Sequence, residues 1–413
     1  MRIAHAAGAY HARMSFDAEV LVVGGGLVGQ SLCAALEGAP VRALQVEAEP
    51  PRPAADPRWD ERNFALSRRS VGLLADWGVW PHAQAQARPI EHVHVSSRGD
   101  FGAVRVHATD CGVDALGHTV PARVVGEALA RRLAHCHTVR REAAVRVTAM
   151  APDDDGVAVT LEGPEGARTL RVRLVVGADG TASQVRELAG IGVDAHDYGQ
   201  TAIVCTIGVR GAPPGWAFER FTDSGPFALL PLGEDRLGMI WTVPADQAGS
   251  VLALDDAAFL ARAQERFGRR AGSFLRVGAR QPWPLRLQRA LRVVGPRCVL
   301  IGNAAQTIHP IGAQGFNLGL RDVEALARYL VSAATVGADP GAVASLAAHA
   351  IAREPDRGGT IELSDGLARA FAHRALPIRL LRGAAFVALE RIAPLKRDLA
   401  WSLMGWRGLA QAS

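Results

Sequence analysis

Five cysteines in 413 residues, Cys33, Cys111, Cys136, Cys205 and Cys298, fall in no C-x-x-C spacing. That scatter excludes a disulfide framework and a cysteine-rich metal site, and it suits a reducing compartment. No stretch approaches 18 uncharged apolar residues, so no membrane-spanning helix is expected. Met1–Ser15 has no continuous apolar core and reads as a loose extension, with Met14 a candidate later start and no signal peptide. The net charge is +5, yet no block of Lys and Arg forms a backbone-tracking stripe, so no nucleic acid partner is expected. The 13 histidines do not cluster: His5 and His11, and His92, His94 and His107, sit in loops or a hairpin, and no metal is expected. G-x-S-x-G and H-E-x-x-H are both missing, and no repeat is visible. With 49% hydrophobic and 21% charged residues, the chain is globular, and its length calls for two or more domains.

What is present begins with VLVVGGGLVG at Val20–Gly29, a buried strand running into a glycine turn. Gly24, Gly26 and Gly29 match G-x-G-x-x-G. Gly24 permits the tight turn, Gly26 lets the backbone approach a pyrophosphate, and Gly29 lets the next helix pack on the strand. That helix is expected from Leu27 to about Gly38, with its free N–H groups facing the phosphates. A second strand, Val41–Glu47, ends on an acid where a ribose-binding carboxylate belongs. Pro50–Trp59 reads as a Pro-rich loop, followed by a helix entered near Ser67. Glu91–Val106 reads as a hairpin bent around Arg98-Gly99-Asp100, and Ala122–Leu133 as a helix. Arg140–Val147, Val157–Leu161 and Thr169–Arg173 read as antiparallel strands, and Leu174–Val176 as a buried strand leading to GADG.

From His196 to Leu285 the character changes to a mostly antiparallel sheet, with strands at Ile203–Val209, Trp216–Phe221, Phe227–Leu230 and Arg236–Val243 and a helix near Asp256–Phe267. A strand at Cys298–Ile301 and a long helix after Gly315 follow, and the chain is helical from about Pro340. The expected fold class is α/β: a Rossmann-like nucleotide-binding domain with an inserted, mostly antiparallel β-sheet domain and a helical C-terminal region. The expected pieces are 16–85, 111–195 and 285–345 for the nucleotide domain, 86–110 and 196–284 for the inserted domain, and 346–413 for the C-terminal helices.

Two further segments carry chemistry. Asp179 and Gly180, in VVGADG, place a carboxylate past a strand, where it can accept from ribose or ribityl hydroxyls; Ser183 and Arg186 follow on the next turns. Gly180 permits close approach. In VLIGNAAQTIHPIGAQGFNLGLRD, Val299–Asp322, Gly302 and Asn303 open a small-residue stretch suited to a flat ring. Pro310, Gly312, Gly315 and Asn317 lead into a helix whose N-terminus can stabilise negative charge. His309 reads as a satisfied structural histidine, and Arg62 as a cation for a phosphate or ring edge.

Together, VLVVGGGLVG, Arg62 in RNFALS, VVGADG and the Val299–Asp322 segment resemble the class A flavoprotein aromatic hydroxylases, in the branch acting on prenylated phenols in ubiquinone biosynthesis. GNAAQTIHP is similar to the 2-octaprenyl-6-methoxyphenol hydroxylases of that branch. FERFTDSGPFALLPL and SDGLARAF extend the likeness, which runs from Phe16 to Gly408.

The resemblance implies a glutathione-reductase-type FAD domain. In it Gly24, Gly26 and Gly29 hold the pyrophosphate, Glu47 the adenosine ribose, and Arg62 the flavin side. Asp179 and Gly180 serve FAD and NAD(P)H. Gly302 and Asn303 touch the ribityl and phosphate region, and Pro310, Gly315 and Asn317 border the isoalloxazine. It implies NAD(P)H and O2 as co-substrates, a flavin C4a-hydroperoxide, and a polyprenylated phenol as substrate. One departure is visible: Pro-x-Ala-Gly-Gln-Gly becomes Pro310-Ile311-Gly312-Ala313-Gln314-Gly315, so a positive φ at 313 would strain alanine. No residue stands out as the base that deprotonates the phenol.

The tail from Leu367 to Gly408 carries Arg369, Arg374, Arg379, Arg382, Arg391, Lys396, Arg397 and Arg407 among Phe371, Leu380, Phe386, Leu389, Leu395, Trp401 and Trp406. It reads equally as an amphipathic surface for an anionic membrane or as helices packed on the FAD domain. The expected location is cytoplasmic, with peripheral contact on the inner face of the cell membrane and with other ubiquinone-biosynthesis proteins. Two other readings stay open: a geranylgeranyl reductase-like flavin enzyme, and a non-catalytic flavin-fold assembly subunit.

Overall fold

The computed structural model describes residues 16–50, 62–233, 235–373 and 375–406. The N-terminal extension with Met14, nearly all of the Pro50–Trp59 loop, and Arg374 and Arg407 lie outside the described residues.

The strand Ala18–Val23 is the centre of the first sheet. It pairs in parallel with Ala43–Glu47 on one side and Gly166–Gly177 on the other. Val139–Ala143 and Cys298–Leu300 extend the parallel arrangement outward. The chain leaves the central strand toward one side and later returns on the other, which makes the carboxyl end of Ala18–Val23 a topological switch point. The near-continuous apolar run is explained by cover on both faces. Val20 and Val22 pack toward the helices Leu27–Ala35, Ala122–Ala134 and Gln314–Thr335. Leu21 and Val23 pack toward the antiparallel strands Arg146–Pro152 and Val157–Gly163.

The second sheet has nine strands. Its order is Gln306–Thr307, Gln281–Ala290, Val193–Arg210, Arg236–Pro244, Gly225–Pro231, Trp216–Thr222, His92–Ser97 and Ala103–His107, with Ser273–Val277 beside Val193–Arg210. Only Trp216–Thr222 and His92–Ser97 pair in parallel. One face buries Phe218, Phe227, Trp241 and Met239 against the helices Ala245–Leu252 and Asp256–Phe267. Asn63–Ser67, Gly117–Pro121 and Arg88–Ile90 form a small third sheet.

The fold class matches the sequence expectation: a Rossmann-like sheet, an inserted β-sheet and a helical C-terminal region. Several local readings need correction. Arg140–Val147 is two strands, because Ala144 turns with φ 58° and hands the chain from the parallel sheet to the antiparallel one. Thr169–Arg173 and Leu174–Val176 are one strand, Gly166–Gly177, whose first half serves Val157–Gly163 and whose second half serves the parallel sheet. The first helix stops at Ala35, with Gly38 at φ 76° completing the exit. Ser67 caps the helix Arg68–Asp76 by accepting from the Ser70 N–H, and Asn63–Ser67 before it is a strand.

Candidate active site

Three strand ends meet at the carboxyl edge of the first sheet. The Gly24 N–H donates to Val46 O at 2.9 Å, the Ala178 N–H to Val23 O at 2.8 Å and the Ile301 N–H to Gly177 O at 2.9 Å. These bonds bring together segments distant in sequence: the glycine turn, the Asp179 loop and the Gly302 turn.

In the first turn, Gly24 has φ 115°, and a Cβ there would stand 2.4 Å from Ala178 O. A Cβ on Gly29 would stand 2.1 Å from Gly24 O, so the helix can approach only as glycine. Gly26 differs: a Cβ there would meet no protein atom within 4 Å. The helix that it opens has no side-chain cap, so its first N–H groups point into that open space. Gly180 and Gly315 also face open space, again with nothing within 4 Å. Open glycine backbone in three segments is a cradle of the shape a dinucleotide needs, and the residues present fit FAD.

Glu47 sits at the end of its strand, with Oε2 accepting from the Gly25 N–H at 2.5 Å and Oε1 from the Glu49 N–H at 2.8 Å. Gly25, which sequence reasoning passed over, is needed because a Cβ there would meet the Glu47 side chain at 2.8 Å. Gln45 and Gln30 were also missed; they donate to Gly24 O at 3.1 Å and Gly25 O at 2.6 Å.

The Asp179 carboxylate is occupied by its own loop. Oδ1 accepts from the Ser183 hydroxyl at 2.6 Å and Oδ2 from the Val185 N–H at 3.0 Å. Arg186 donates to Ala304 O at 3.0 Å and Thr181 O at 2.9 Å, tying this loop to the Gly302 turn. Gly302 has φ 58°, packs against Val28, and donates its N–H to Asp322 Oδ2 at 3.2 Å. Asn303 is exposed.

Behind that turn is a buried network with no local signal in the sequence. Asp322 accepts from Gln306 at 2.8 Å and pairs with Arg353 at 2.6 Å. Arg357 donates to Gln306 Oε1 at 2.8 Å and to the carbonyls of Ala290 and Ala305. The helix Val343–Ala372 thereby fixes the small-residue stretch from behind.

Pro310 starts a tight turn in which Gly312 (φ 65°) and Ala313 (φ 52°) are both left-handed. The positive φ anticipated at 313 is therefore real, and alanine bears it. Asn317 is buried and acts as a clamp: its amide donates to Ala65 O and Ala313 O, both at 2.8 Å, and its carbonyl accepts from the Ser67 N–H at 3.0 Å.

The second sheet faces this turn. Arg62 lies between Phe64 and Trp283, 5.1 and 5.5 Å from the ring centroids, and Phe64 packs on Phe316 at 4.8 Å. His309 is buried against the Tyr198 ring edge at 5.0 Å, and neither ring nitrogen has a partner among the described residues. The expectation of a satisfied histidine is overturned on that point. Burial pushes its pKa from 6.5 down to about 4, so the ring is neutral.

Strand register shows which side chains cover the cleft. Opposite positions Val95, Glu219, Ala228, Ile240 and Val204 form one row across the sheet. Glu219 is the one carboxylate in that row. It accepts from the Gly312 N–H, and burial pushes its pKa up to about 7. Sequence reasoning named no proton acceptor; the available signal was a glutamate inside the apolar strand WAFERFT.

The tail divides between the two readings open to it. Phe386 is buried, with Phe371, Leu389 and Trp406 packed around Val104 and Val106. Arg379 and Arg382 pair with Asp100, at 2.8 and 2.9 Å. Leu376, Leu380, Leu381, Ile392, Leu395 and Trp401 are exposed. No described helix is long and apolar enough to cross a membrane.

Comparison with known proteins gives consistent matches. A family profile described as FAD binding domain matches residues 17–352. The ubiquinone hydroxylase UbiL of Rhodospirillum rubrum is 39% identical, over 94% of this chain and 90% of that one. The 3-demethoxyubiquinol 3-hydroxylase of Escherichia coli is 32% identical, over 92% and 96%. Among solved structures, p-nitrophenol 4-monooxygenase PnpA of Pseudomonas putida DLL-E4 superposes with a TM-score of 0.75 at 20% identity, covering 94% of this chain and 99% of that one.

Proposed function

The chain belongs to the FAD-binding domain family, and from that premise we propose that it hydroxylates the aromatic ring of a polyprenylated phenol in ubiquinone biosynthesis, using NAD(P)H and O2. It is an FAD-dependent monooxygenase, an aromatic-ring hydroxylase related to the ubiquinone-pathway enzymes. FAD, once bound and reduced, supplies the oxygen-transfer chemistry. The protein binds it, orients the ring and excludes water.

Gly24, Gly26 and Gly29 would hold the diphosphate at the first helix, and Glu47 would take the adenosine ribose. Gly180, Gly302 and Asn303 lie along the ribityl and phosphate stretch, with Asp179 holding the loop that shapes it. Pro310 and Gly315 would border the ring, Asn317 fixes the turn that they form, and Arg62, held over Phe64 and Trp283, would serve the flavin side. The row from Val95 to Val204, apolar but for Glu219, forms a roof that keeps the reacting centre dry.

The observation that supports this reading best is the meeting of the open glycine cradle with that roof across the Pro310–Gly315 turn. Within the branch, GNAAQTIHP favours the 2-octaprenyl-6-methoxyphenol step. The exposed apolar positions from Leu376 to Leu395, with Arg391 and Arg397 beside them, suit contact with an anionic membrane from which a polyprenyl tail is drawn.

Two measurements test the reading. Deletion of the gene, followed by mass spectrometry of a lipid extract, should accumulate a polyprenylated phenol lacking one ring oxygen; an unchanged quinone pool refutes it. Purified protein given FAD, NAD(P)H, a prenylated phenol and labelled O2 should place label in the product, and product without label removes the hydroxylase assignment.

A further inference from the structure

We propose that the Glu219 carboxylate receives the hydroxyl proton of the bound phenol. The phenol O–H bond breaks, a Glu219 O–H bond forms, and the electron pair stays on the phenol oxygen, making the ring electron-rich. The proposal rests on the phenolic substrate proposed above.

The geometry singles out this side chain. In the strand Trp216–Thr222, alternate residues face opposite sides of the sheet. Phe218 and Arg220 face the helix Asp256–Phe267, where Phe218 meets Phe267 and Arg220 lies beside Arg270 and Arg98. Ala217, Glu219 and Phe221 face the cleft, where Ala217 joins Ile90 and Leu230 and Phe221 stacks on Phe371 with centroids 3.5 Å apart. Glu219 is thus a carboxylate between two apolar ends of one wall, flanked by Val95 and Ala228. Its contact with Gly312 sets it against the turn that borders the flavin ring in the reading above. It keeps partial access to the cleft while protein surrounds it.

The surrounding charges do not compete for the proton. On the same loop, His309 is held neutral by burial. On the helix Val343–Ala372, Asp365 is paired with Arg369 and accepts from the Tyr198 hydroxyl. Arg62 lies over the rings of Phe64 and Trp283. The flanking strands contribute Val95 and Ala228, which carry no charge. Burial brings the Glu219 carboxyl into the neutral range, which suits a proton acceptor working near neutral pH.

The test uses oxidised, FAD-loaded protein without a nicotinamide cofactor and a 2-alkyl-4-nitrophenol, whose ionised form absorbs visible light. In the wild type, phenolate absorbance of the bound probe should appear near neutral pH. Each bound phenolate formed from neutral probe in the wild type should leave its proton on the protein, read as a new protonated-carboxyl infrared stretch with no acid released to the medium. In Glu219→Gln that stretch should be lost, and each phenolate formed should release one proton. Glu219→Asp should restore part of the signal. A glutamate that only anchors the Gly312 turn predicts weaker binding with the same proton release in both proteins. Equal proton release in wild type and Glu219→Gln overturns the proposal. So does a wild-type complex whose probe stays un-ionised through neutral pH, a result that needs no variant to fold. A wild type that binds no phenol refutes the phenolic substrate instead.

Discussion

Gly26 and Gly29 lie three residues apart in one turn, yet their replacement by alanine should fail in opposite ways. At Gly29 the new Cβ would stand 2.1 Å from Gly24 O, against an ordinary contact beyond 3.4 Å. The first helix must then retreat by about 1 Å, in a core that tolerates overpacking only at a cost of roughly 1–3 kcal/mol or more. Gly29→Ala should therefore lower the thermal midpoint of the FAD-free protein itself. At Gly26 the backbone is φ −68°, ψ 178°, which alanine adopts without strain, and its Cβ meets nothing within 4 Å. Loss of a favoured N-cap residue and reduced freedom of the unfolded chain oppose each other there, leaving a net effect within about 1 kcal/mol of zero. The damage should fall on whatever approaches the turn. Displacing a diphosphate from the helix N–H groups should weaken FAD binding at least about tenfold, equivalent to about 1.4 kcal/mol. Differential scanning fluorimetry of the FAD-free variants and FAD titration by flavin fluorescence separate the two effects. Gly26→Ala protein that binds FAD as tightly as wild type refutes the placement of the diphosphate. A Gly29→Ala protein as stable as wild type refutes the packing argument.

The left-handed Ala313 predicts an inversion of the usual alanine-to-glycine effect. Relief of about 1–2 kcal/mol of left-handed strain, less about 0.4–1 kcal/mol of unfolded-chain entropy, should make Ala313→Gly neutral or mildly stabilising, whereas Ala327→Gly in the following helix should cost about 1 kcal/mol or more. Chemical denaturation of the two variants decides, and a clear loss at 313 refutes the strain. Asp322→Ala removes one of the two carboxylates that Arg353 pairs with, leaving it Asp356, and takes the acceptor from the Gly302 N–H; leaving such buried donors unpaired costs about 1–3 kcal/mol, and retention of FAD through gel filtration should fall with it. Unchanged stability would show that the Asp322 network does not hold the turn. His309, with its pKa lowered from 6.5 to about 4 by burial, favours the folded state above pH 6.5, and that contribution is lost as the pH falls toward 4. His309→Phe should flatten the acid-side decline of the thermal midpoint across that interval, and an identical decline in both proteins counts against burial of the neutral ring.

Much of the nucleotide half was legible because its signals are local. A strand covered on both faces must be apolar throughout, a turn against a neighbouring carbonyl must be glycine, and an acid closes the second strand; each rule acts within a few residues of Val20–Glu47. Register and partner choice are not local. Nothing in Arg140–Val147 says that Ala144 divides it between two sheets, because that depends on where Ala43–Glu47 and Val157–Gly163 already lie. The same distinction separates the residues at the site. Gly24, Gly26 and Gly29 are picked out by their spacing, and Ala313 by its departure from the Pro-x-Ala-Gly-Gln-Gly pattern of the family that the chain resembles. Asp179 and Asn317 were visible as polar residues in special turns, but only the tertiary structure shows their polar atoms turned to the chain's own donors and acceptors. Glu219 and Asp322 acquire meaning from neighbouring elements of the fold, through pairing with Val95 and Ala228 in one case and with Gln306 and Arg353 in the other. The sequence by itself determined that a dinucleotide turn and an antiparallel insert occur in one chain. Tertiary packing decided which carboxylates are left facing the cleft, because burial and partner geometry are properties of the assembled layers and not of any single segment.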